Sequence, residues 1–504
     1  MADVAVAEQR RLLLAWLRDR GVREVPVLRE THVSILAFTA DRVWKCKKAV
    51  RFPFIDLSTL DRRLANCERE VTLNRRLAPD VYLGVVPLSD SEGTVVDYLV
   101  EMRRLPDDTR LSTVSGDSGL GAGCVDEIAD LLIRFHAHSP TGRDIDRSAT
   151  PPALETLWSQ SLAELRPYCG AVLDPLLVDQ VETDARTYLA GRSHLFADRV
   201  AGGRIRDGHG DLLADDVFCL SDGPRILDCL EFDERLRFGD VLADVAFLAM
   251  DLERLGRQDL AGRLLDRYRD GSADVWPTSL AHFYIAYRAL VRSKVACLRV
   301  GDDADARPLA RTLLELAATH LAEGRVRLVL IGGPPATGKT TLARTLADTT
   351  GWPVFHSDEI RKELAGLDPT SSAAAPLDGG LYASSWSERT YAALLDRARE
   401  LLERGSSVIL DASWSNEDRR IAAADLATRT ASRLTSFRCT VEPHVADERA
   451  ATRARQGLDA SDATAAIAAE LRSRFTLWPG AVPVDTTEPP DRVGQQVLAR
   501  LGWR

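Results

Sequence analysis

Gly333-Pro334-Pro335-Ala336-Thr337-Gly338-Lys339-Thr340 decides how the C-terminal part of this 504-residue chain is read. The stretch follows the apolar run Leu328-Val329-Leu330-Ile331 and leads through Thr341 into a helix-compatible segment ending at Leu346. The spacing GxxxxGK[ST] therefore falls between a strand and a helix, the context that makes it a phosphate-binding loop. Glycines let backbone N–H groups converge on phosphate oxygens at a helix N-terminus. Lys339 is then placed to reach the β- and γ-phosphates of ATP, and the Thr340 hydroxyl to ligate Mg²⁺.

Downstream, buried strands alternate with helices. Pro353-Val354-Phe355-His356 reads as a second strand, and Tyr391, Leu394, Leu395, Ala398 and Leu402 as the apolar face of a long helix that Gly405 ends. Ser407-Val408-Ile409-Leu410-Asp411 reads as a buried strand ending in a carboxylate, and the alternation implies a parallel sheet. His356-Ser357-Asp358-Glu359-Ile360-Arg361-Lys362 follows the second strand directly, where open α/β sheets bind ligands. Two readings of Asp358 and Arg361 stay open: groups that meet a substrate, or a helix cap with a surface ion pair. Arginines at helical spacing in Glu448 to Arg455, Arg453 among them, suit a lid over the phosphoryl group as well as an exposed basic face. The Ala/Ser/Pro/Gly-rich stretch Ala365 to Gly380 is expected to shape the acceptor site.

At this length the chain needs more than one core, two large or three smaller. An apolar share of 45% and a charged share of 28% are ordinary for globular proteins. A net charge of −10 supplies no broad positive field for nucleic acid or acidic membranes. The eight cysteines (46, 67, 124, 169, 219, 229, 297 and 439) contain no CxxC pair, so neither a zinc site nor a disulfide framework is expected. They read as reduced, mostly buried thiols of a cytoplasmic protein. Leu12 to Leu17, flanked by arginines, is too short for a membrane span and reads as an amphipathic helix.

Upstream of the phosphate loop, two strands join at Asp41-Arg42, and period 2 puts Val43, Lys45 and Lys47 on one face of the second. A helical segment from Leu60 to Leu77 follows, carrying Glu70. A lysine on a strand and an acidic residue on a helix is a pairing that holds α- and β-phosphates. After a Gly/Ser/Asp/Thr-rich connection from Leu105 to Cys124, helical patterns dominate. The chemistry resumes at His209-Gly210-Asp211-Leu212, with Asp216 five residues after Asp211 and a hairpin turning at Ser221-Asp222-Gly223 whose second strand runs to Phe232. This spacing matches a loop in which one Asp takes up a hydroxyl proton and the later residue binds Mg²⁺.

Those residues, the hairpin and Arg237-Phe238-Gly239-Asp240-Val241-Leu242-Ala243-Asp244-Val245-Ala246-Phe247-Leu248 resemble the aminoglycoside phosphotransferase family over about residues 30 to 300. The resemblance implies a two-lobed, α+β protein-kinase-like domain, a base at Asp211, a metal ligand at Asp216 where the family carries Asn, and an ATP lysine at Lys45 or Lys47. The second metal ligand stays open between Asp228, favoured by residue type, and Glu231, favoured by strand pattern. Asp244 is expected to stabilise the loop. Arg288, Arg292 and Lys294 fit either a substrate cleft or a solvated helix face. The C-terminal part resembles small P-loop kinases near the gluconate kinase, chloramphenicol phosphotransferase and zeta-toxin groups. That resemblance makes Lys339 and Asp358 catalytic, Asp411 a metal ligand, and Arg361 and Arg453 substrate contacts.

The whole is similar to bacterial proteins described as bifunctional aminoglycoside phosphotransferase/ATP-binding proteins. The expected architecture is a kinase-like domain over residues 1–322 and an α/β P-loop domain over residues 323–504, with ATP and Mg²⁺ as cofactors. A small hydroxylated acceptor is the expected partner, with neither membrane nor nucleic acid.

Overall fold

The computed structural model describes residues 2–52, 55–116, 118–301, 303–368, 381, 383–456, 470 and 475–503. They form two compact units. Unit 1 comprises Met1–Pro175, Arg199–Trp276 and Tyr284–Ala317; unit 2 comprises Leu176–Asp198, Pro277–Phe283 and Ala318–Arg504. A division at residue 323 thus misses two earlier segments that pack with the P-loop half. No helix among the described residues is long and apolar enough to cross a membrane.

Unit 1 begins with a five-stranded antiparallel sheet in the spatial order Val27–Glu30, Ser34–Phe38, Arg42–Lys47, Val95–Arg103, Tyr82–Ser89. One face buries Ile35, Trp44 and Leu99 against Leu13 and Trp16 of the first helix. The other buries Val43, Val100 and Tyr82 against Cys67 and Val71 of the helix Leu60–Asn74. The Thr59 hydroxyl, which accepts from the Arg62 amide, caps that helix. Helices follow, and the Leu105 to Cys124 connection is more regular than its composition suggests, since Leu111–Val114 and the start of Ser118–His138 are helical.

Two expectations are corrected here. Cys124 and Cys219 are joined by a disulfide, 95 residues apart in sequence, whereas the sequence reading left both as thiols; the other six cysteines are free. The hairpin's second strand is Gly223–Ile226 and stops well short of Phe232. Asp228 has φ 62°, a left-handed conformation that an extended strand cannot contain.

Unit 2 holds a five-stranded parallel sheet in the order Val354–His356, Val408–Asp411, Arg327–Gly332, Arg433–Thr440, Val482–Asp485. The central strand is buried along its whole length, as a parallel strand covered on both faces must be. Val329 and Ile331 pack with Leu342 and Leu346 of the helix Lys339–Thr350 and with Val497 of Pro490–Leu501. The helical segment Leu176–Asp198 closes on this unit at Gly191, where a Cβ would stand 2.2 Å from the Thr430 carbonyl oxygen. Beside it the buried Arg192 guanidinium donates to that same carbonyl at 2.6 Å.

Candidate functional sites

In unit 1 the strand Arg42–Lys47 presents both lysines to Glu70. Lys45 Nζ lies 2.7 Å from Glu70 Oε1 and 2.8 Å from Asp228 Oδ1. Lys47 Nζ lies 2.5 Å from Glu70 Oε2 and 2.7 Å from Glu231 Oε1. Glu70 therefore bridges two ammonium groups, and although burial works against its charge the two lysines hold its pKa low. The lysines differ in access: the Lys47 side chain is 0% exposed and closed off by two carboxylates, while Lys45 leads to Asp228, whose side chain is 52% exposed. The candidates Asp228 and Glu231 separate in the same way, Asp228 open to solvent and Glu231 buried against Lys47.

The His209–Asp211 loop is built from beneath. Asp244 accepts from the His209 amide at 2.5 Å and the Gly210 amide at 3.0 Å. Burial opposes its charge, but His136, His209 and Arg288 around it hold the carboxyl well below its usual range. His209 Nε2 lies 3.0 Å from the Leu227 carbonyl oxygen, and burial lowers its pKa to about 4, so it serves the loop as a neutral donor. Gly208 leaves room for this arrangement, since a Cβ there would stand 2.2 Å from Asp244 Oδ2. Asp211 is pushed up to about 6 by burial, with Arg292 opposing and Asp228 reinforcing. Asp216 is raised further by burial and by the charges of Asp228 and Asp211. Asp228 alone is lowered, chiefly by Lys45. The Asp228 charge thus raises both Asp211 and Asp216, and three carboxylates of this kind are a donor set suited to a hard divalent cation.

Of the helical cations, Arg292 and, to a smaller extent, Arg288 act on Asp211 by charge. Arg288 donates to the Ala243 and Gly210 carbonyls and stacks on Phe247, and Lys294 pairs with Glu164 at 3.2 Å. Sequence reasoning missed two supports of the Asp228 turn. Tyr82 Oη accepts from the Asp228 amide at 3.2 Å, and Asn74 Oδ1 accepts from the Cys229 amide at 2.8 Å. Neither carries a motif; each is found only once the strand and helix meet the turn.

In unit 2 the phosphate loop joins the central strand to its helix. Gly333 (φ 137°) and Gly338 (φ 82°) take left-handed conformations, and a Cβ on Gly333 would stand 2.6 Å from the Cys439 carbonyl oxygen. Lys339 Nζ donates to the Pro334 carbonyl at 2.9 Å, curling over residues 334 to 338. Thr340 Oγ1 donates to Asp411 Oδ2 at 2.7 Å, and His356 Nδ1 meets the same oxygen at 2.8 Å. Burial disfavours the charged His356 ring, but Asp411 overrides it and raises its pKa. A hydroxyl at the helix start beside a carboxylate at a strand end is the donor pair Mg²⁺ takes in P-loop proteins.

Asp358 stands at the start of the helix Ser357–Leu364 and is raised chiefly by burial, opposed by Arg361 and Lys339 and reinforced by Asp411. Arg361 Nη1 is 2.6 Å from Asp358 Oδ1, so these two residues form an ion pair, and Arg361 is itself buried. A cleft of about 660 Å³ opens beside Gly338, Thr341, Arg449 and Thr486. Thr486 Oγ1 donates to the Thr337 carbonyl at 2.7 Å and Arg449 donates to the Thr486 carbonyl at 2.8 Å, two loop contacts the sequence did not single out. The Arg453 side chain and most of Ala365 to Gly380 lie outside the described residues; Arg453 itself is on the helix Pro443–Gln456.

The AAA domain family AAA_33 matches residues 328–478. A putative aminoglycoside phosphotransferase from Ralstonia eutropha aligns with 62% of this chain and 98% of its own, at 15% identity and a TM-score of 0.39. A sugar kinase from Janibacter aligns with 35% of this chain and 95% of its own, at 18% identity and a TM-score of 0.28. Uncharacterized protein Rv2004c of Mycobacterium tuberculosis is 41% identical over 471 residues, 93% of this chain and 94% of that one. The chain belongs to the family of that mycobacterial protein.

Proposed function

We propose that the protein is an ATP- and Mg²⁺-dependent phosphotransferase that phosphorylates a hydroxyl of a small molecule, sugar-like, nucleoside-like or aminoglycoside-like, in the cytoplasm. The observation that carries this reading is the half-buried Asp358 carboxyl, held 2.6 Å from Arg361 at the start of the helix that follows the edge strand Val354–His356 and within electrostatic reach of both Lys339 and Asp411.

In unit 2, residues 333 to 341 cradle the phosphates through backbone N–H groups and Lys339. Thr340 and Asp411 would hold Mg²⁺, which when bound neutralises charge on the phosphates. Asp358 accepts the acceptor hydroxyl's proton as the oxygen attacks, and Arg361 keeps that carboxyl oriented through their ion pair. Arg453, on the helix Pro443–Gln456, is assigned in this reading to the acceptor or the transferring group. In unit 1, Lys45, steadied by Glu70, grips the α- and β-phosphates and Asp211 is the base. Asp216 and Asp228 would hold the cation. Glu231 instead neutralises Lys47, which is too enclosed to meet a nucleotide.

A second reading has its own support. Lys45 is already paired with Asp228 at 2.8 Å, an arrangement that also suits a kinase-like module that binds without turning over and reports nucleotide occupancy of unit 2. The test is ATP consumption by the purified chain with Mg²⁺ and libraries of sugars, nucleosides and aminoglycosides, for wild type, Asp211→Asn and Asp358→Asn. Acceptor-dependent turnover lost in Asp358→Asn assigns transfer to unit 2. ATP consumption that is the same with and without acceptor, and indifferent to both substitutions, overturns the proposal.

A further inference from the structure

Unit 2 contains a second cluster of donor atoms that the phosphate chemistry does not use. His282 lies on the helix Thr278–Leu298, and His320 and Glu323 lie on the helix Ala306–Glu323. A spacing of three puts His320 and Glu323 on one helix face, the face turned to His282. His282 Nδ1 and His320 Nδ1 are 2.8 Å apart, and Glu323 Oε2 is 3.9 Å from His282 Nδ1. One donor atom from each of the three residues lies within 4.8 Å of the others. Gly324 fixes the approach, because a Cβ there would stand 2.8 Å from His282 Cβ. No larger residue lets the end of the helix come this close.

The chemistry of the set is specific. Two imidazole nitrogens and one carboxylate oxygen suit Zn²⁺, whereas Mg²⁺ prefers oxygen alone. His320 is buried, Glu323 reaches solvent, and a cavity of about 270 Å³ borders His320 and Gly324. That combination gives three protein ligands, an entry path and space for a fourth ligand.

We propose that His282, His320 and Glu323 form a zinc-type divalent metal site that clasps these two helices, distinct from the oxygen sites at the phosphate loop. In a tetrahedral site with Zn–N bonds of about 2.0–2.1 Å the two nitrogens stand about 3.3 Å apart. The rings therefore separate by roughly 0.5 Å on binding, and each then carries its proton on Nε2. Water takes the fourth position.

The test uses the full chain stripped of metal by chelation and then dialysed against Zn²⁺, or Co²⁺ as a spectroscopic probe, in excess Mg²⁺. One equivalent of Zn²⁺ is expected, with the visible absorption of tetrahedral Co²⁺ and a Zn²⁺-dependent rise in Tm. Lys339→Ala should keep all three signals. Glu323→Gln changes an exposed residue and should fold normally while weakening Zn²⁺ binding at least about tenfold. His282→Ala should abolish it. Failure of the wild type to take up Zn²⁺, or unchanged affinity in Glu323→Gln, overturns the proposal.

Discussion

The two candidate phosphate sites are built from different materials. Unit 2 grips with backbone: its lysine curls onto a carbonyl five residues away, and left-handed glycines shape the loop. Unit 1 grips with side chains brought together from afar: Lys45 meets Asp228 across 183 residues, and Lys47 meets Glu231 across 184. A backbone cradle is complete once a short segment folds. A side-chain cluster exists only when sheet, helix and turn are all in place, and each of its charges must be balanced inside protein. Glu70 shows the cost of that design, one carboxylate serving two buried ammonium groups.

The sharpest way to break this contrast is to remove each lysine. Lys339→Ala should lower the phosphotransfer of unit 2 by roughly 10³-fold or more, because no other side chain in the loop carries positive charge to the phosphates. Steady-state turnover with the acceptor in hand would check this, and a loss below tenfold would mean that the backbone cradle suffices. Removing the proton acceptors comes next. Asp211→Asn and Asp358→Asn should each cost roughly 10²–10³-fold in the kcat of their own unit, with nucleotide affinity little changed. Equal loss of nucleotide binding would assign these carboxylates to binding instead.

A third prediction concerns stability. Reducing the Cys124–Cys219 disulfide, which closes a long loop in unit 1, should cost about 2–4 kcal/mol. A calorimetric scan with and without reductant should show one transition moving down. If the transition of unit 2 moves instead, the assignment is wrong. The smallest effect is in pH. Asp211, with a pKa of about 6, must be ionised to accept a proton, so turnover in unit 1 should fall up to tenfold per pH unit below that value. Stability shifts oppositely: the folded carboxyl binds its proton more tightly than the unfolded one, so this group favours folding as pH falls from about 6 towards 4. Asp211→Asn should erase both dependences.

What could be read in advance follows the same contrast. The phosphate loop, the strand ending at Asp411 and the helix opening at Asp358 are contiguous patterns, and the parallel sheet follows from alternating buried strands and helices. Lys45 and Lys47 could not be told apart because a period of two puts both on one face; only three-dimensional packing encloses one of them. Asp228 and Glu231 stayed open because the left-handed turn at Asp228 leaves no mark in residue type. The disulfide was hidden because nothing local links Cys124 to Cys219. The boundary at residue 323 overlooked Leu176–Asp198 and Pro277–Phe283, since the contacts that place them in unit 2 reach across the chain.

The seat of Gly191 and Arg192 against Thr430 bears on the order of synthesis. Arg192 leaves the ribosome 238 residues before the carbonyl it caps. At roughly 5–20 residues per second that gap lasts on the order of 10–50 s. For that interval a helical segment with a guanidinium designed for burial waits in the company of unit 1, which can complete most of its own core first. The nascent chain must therefore hold one piece of its last unit in reserve while finishing its first, and a gene fragment beginning at residue 323 would make a P-loop unit that lacks this piece.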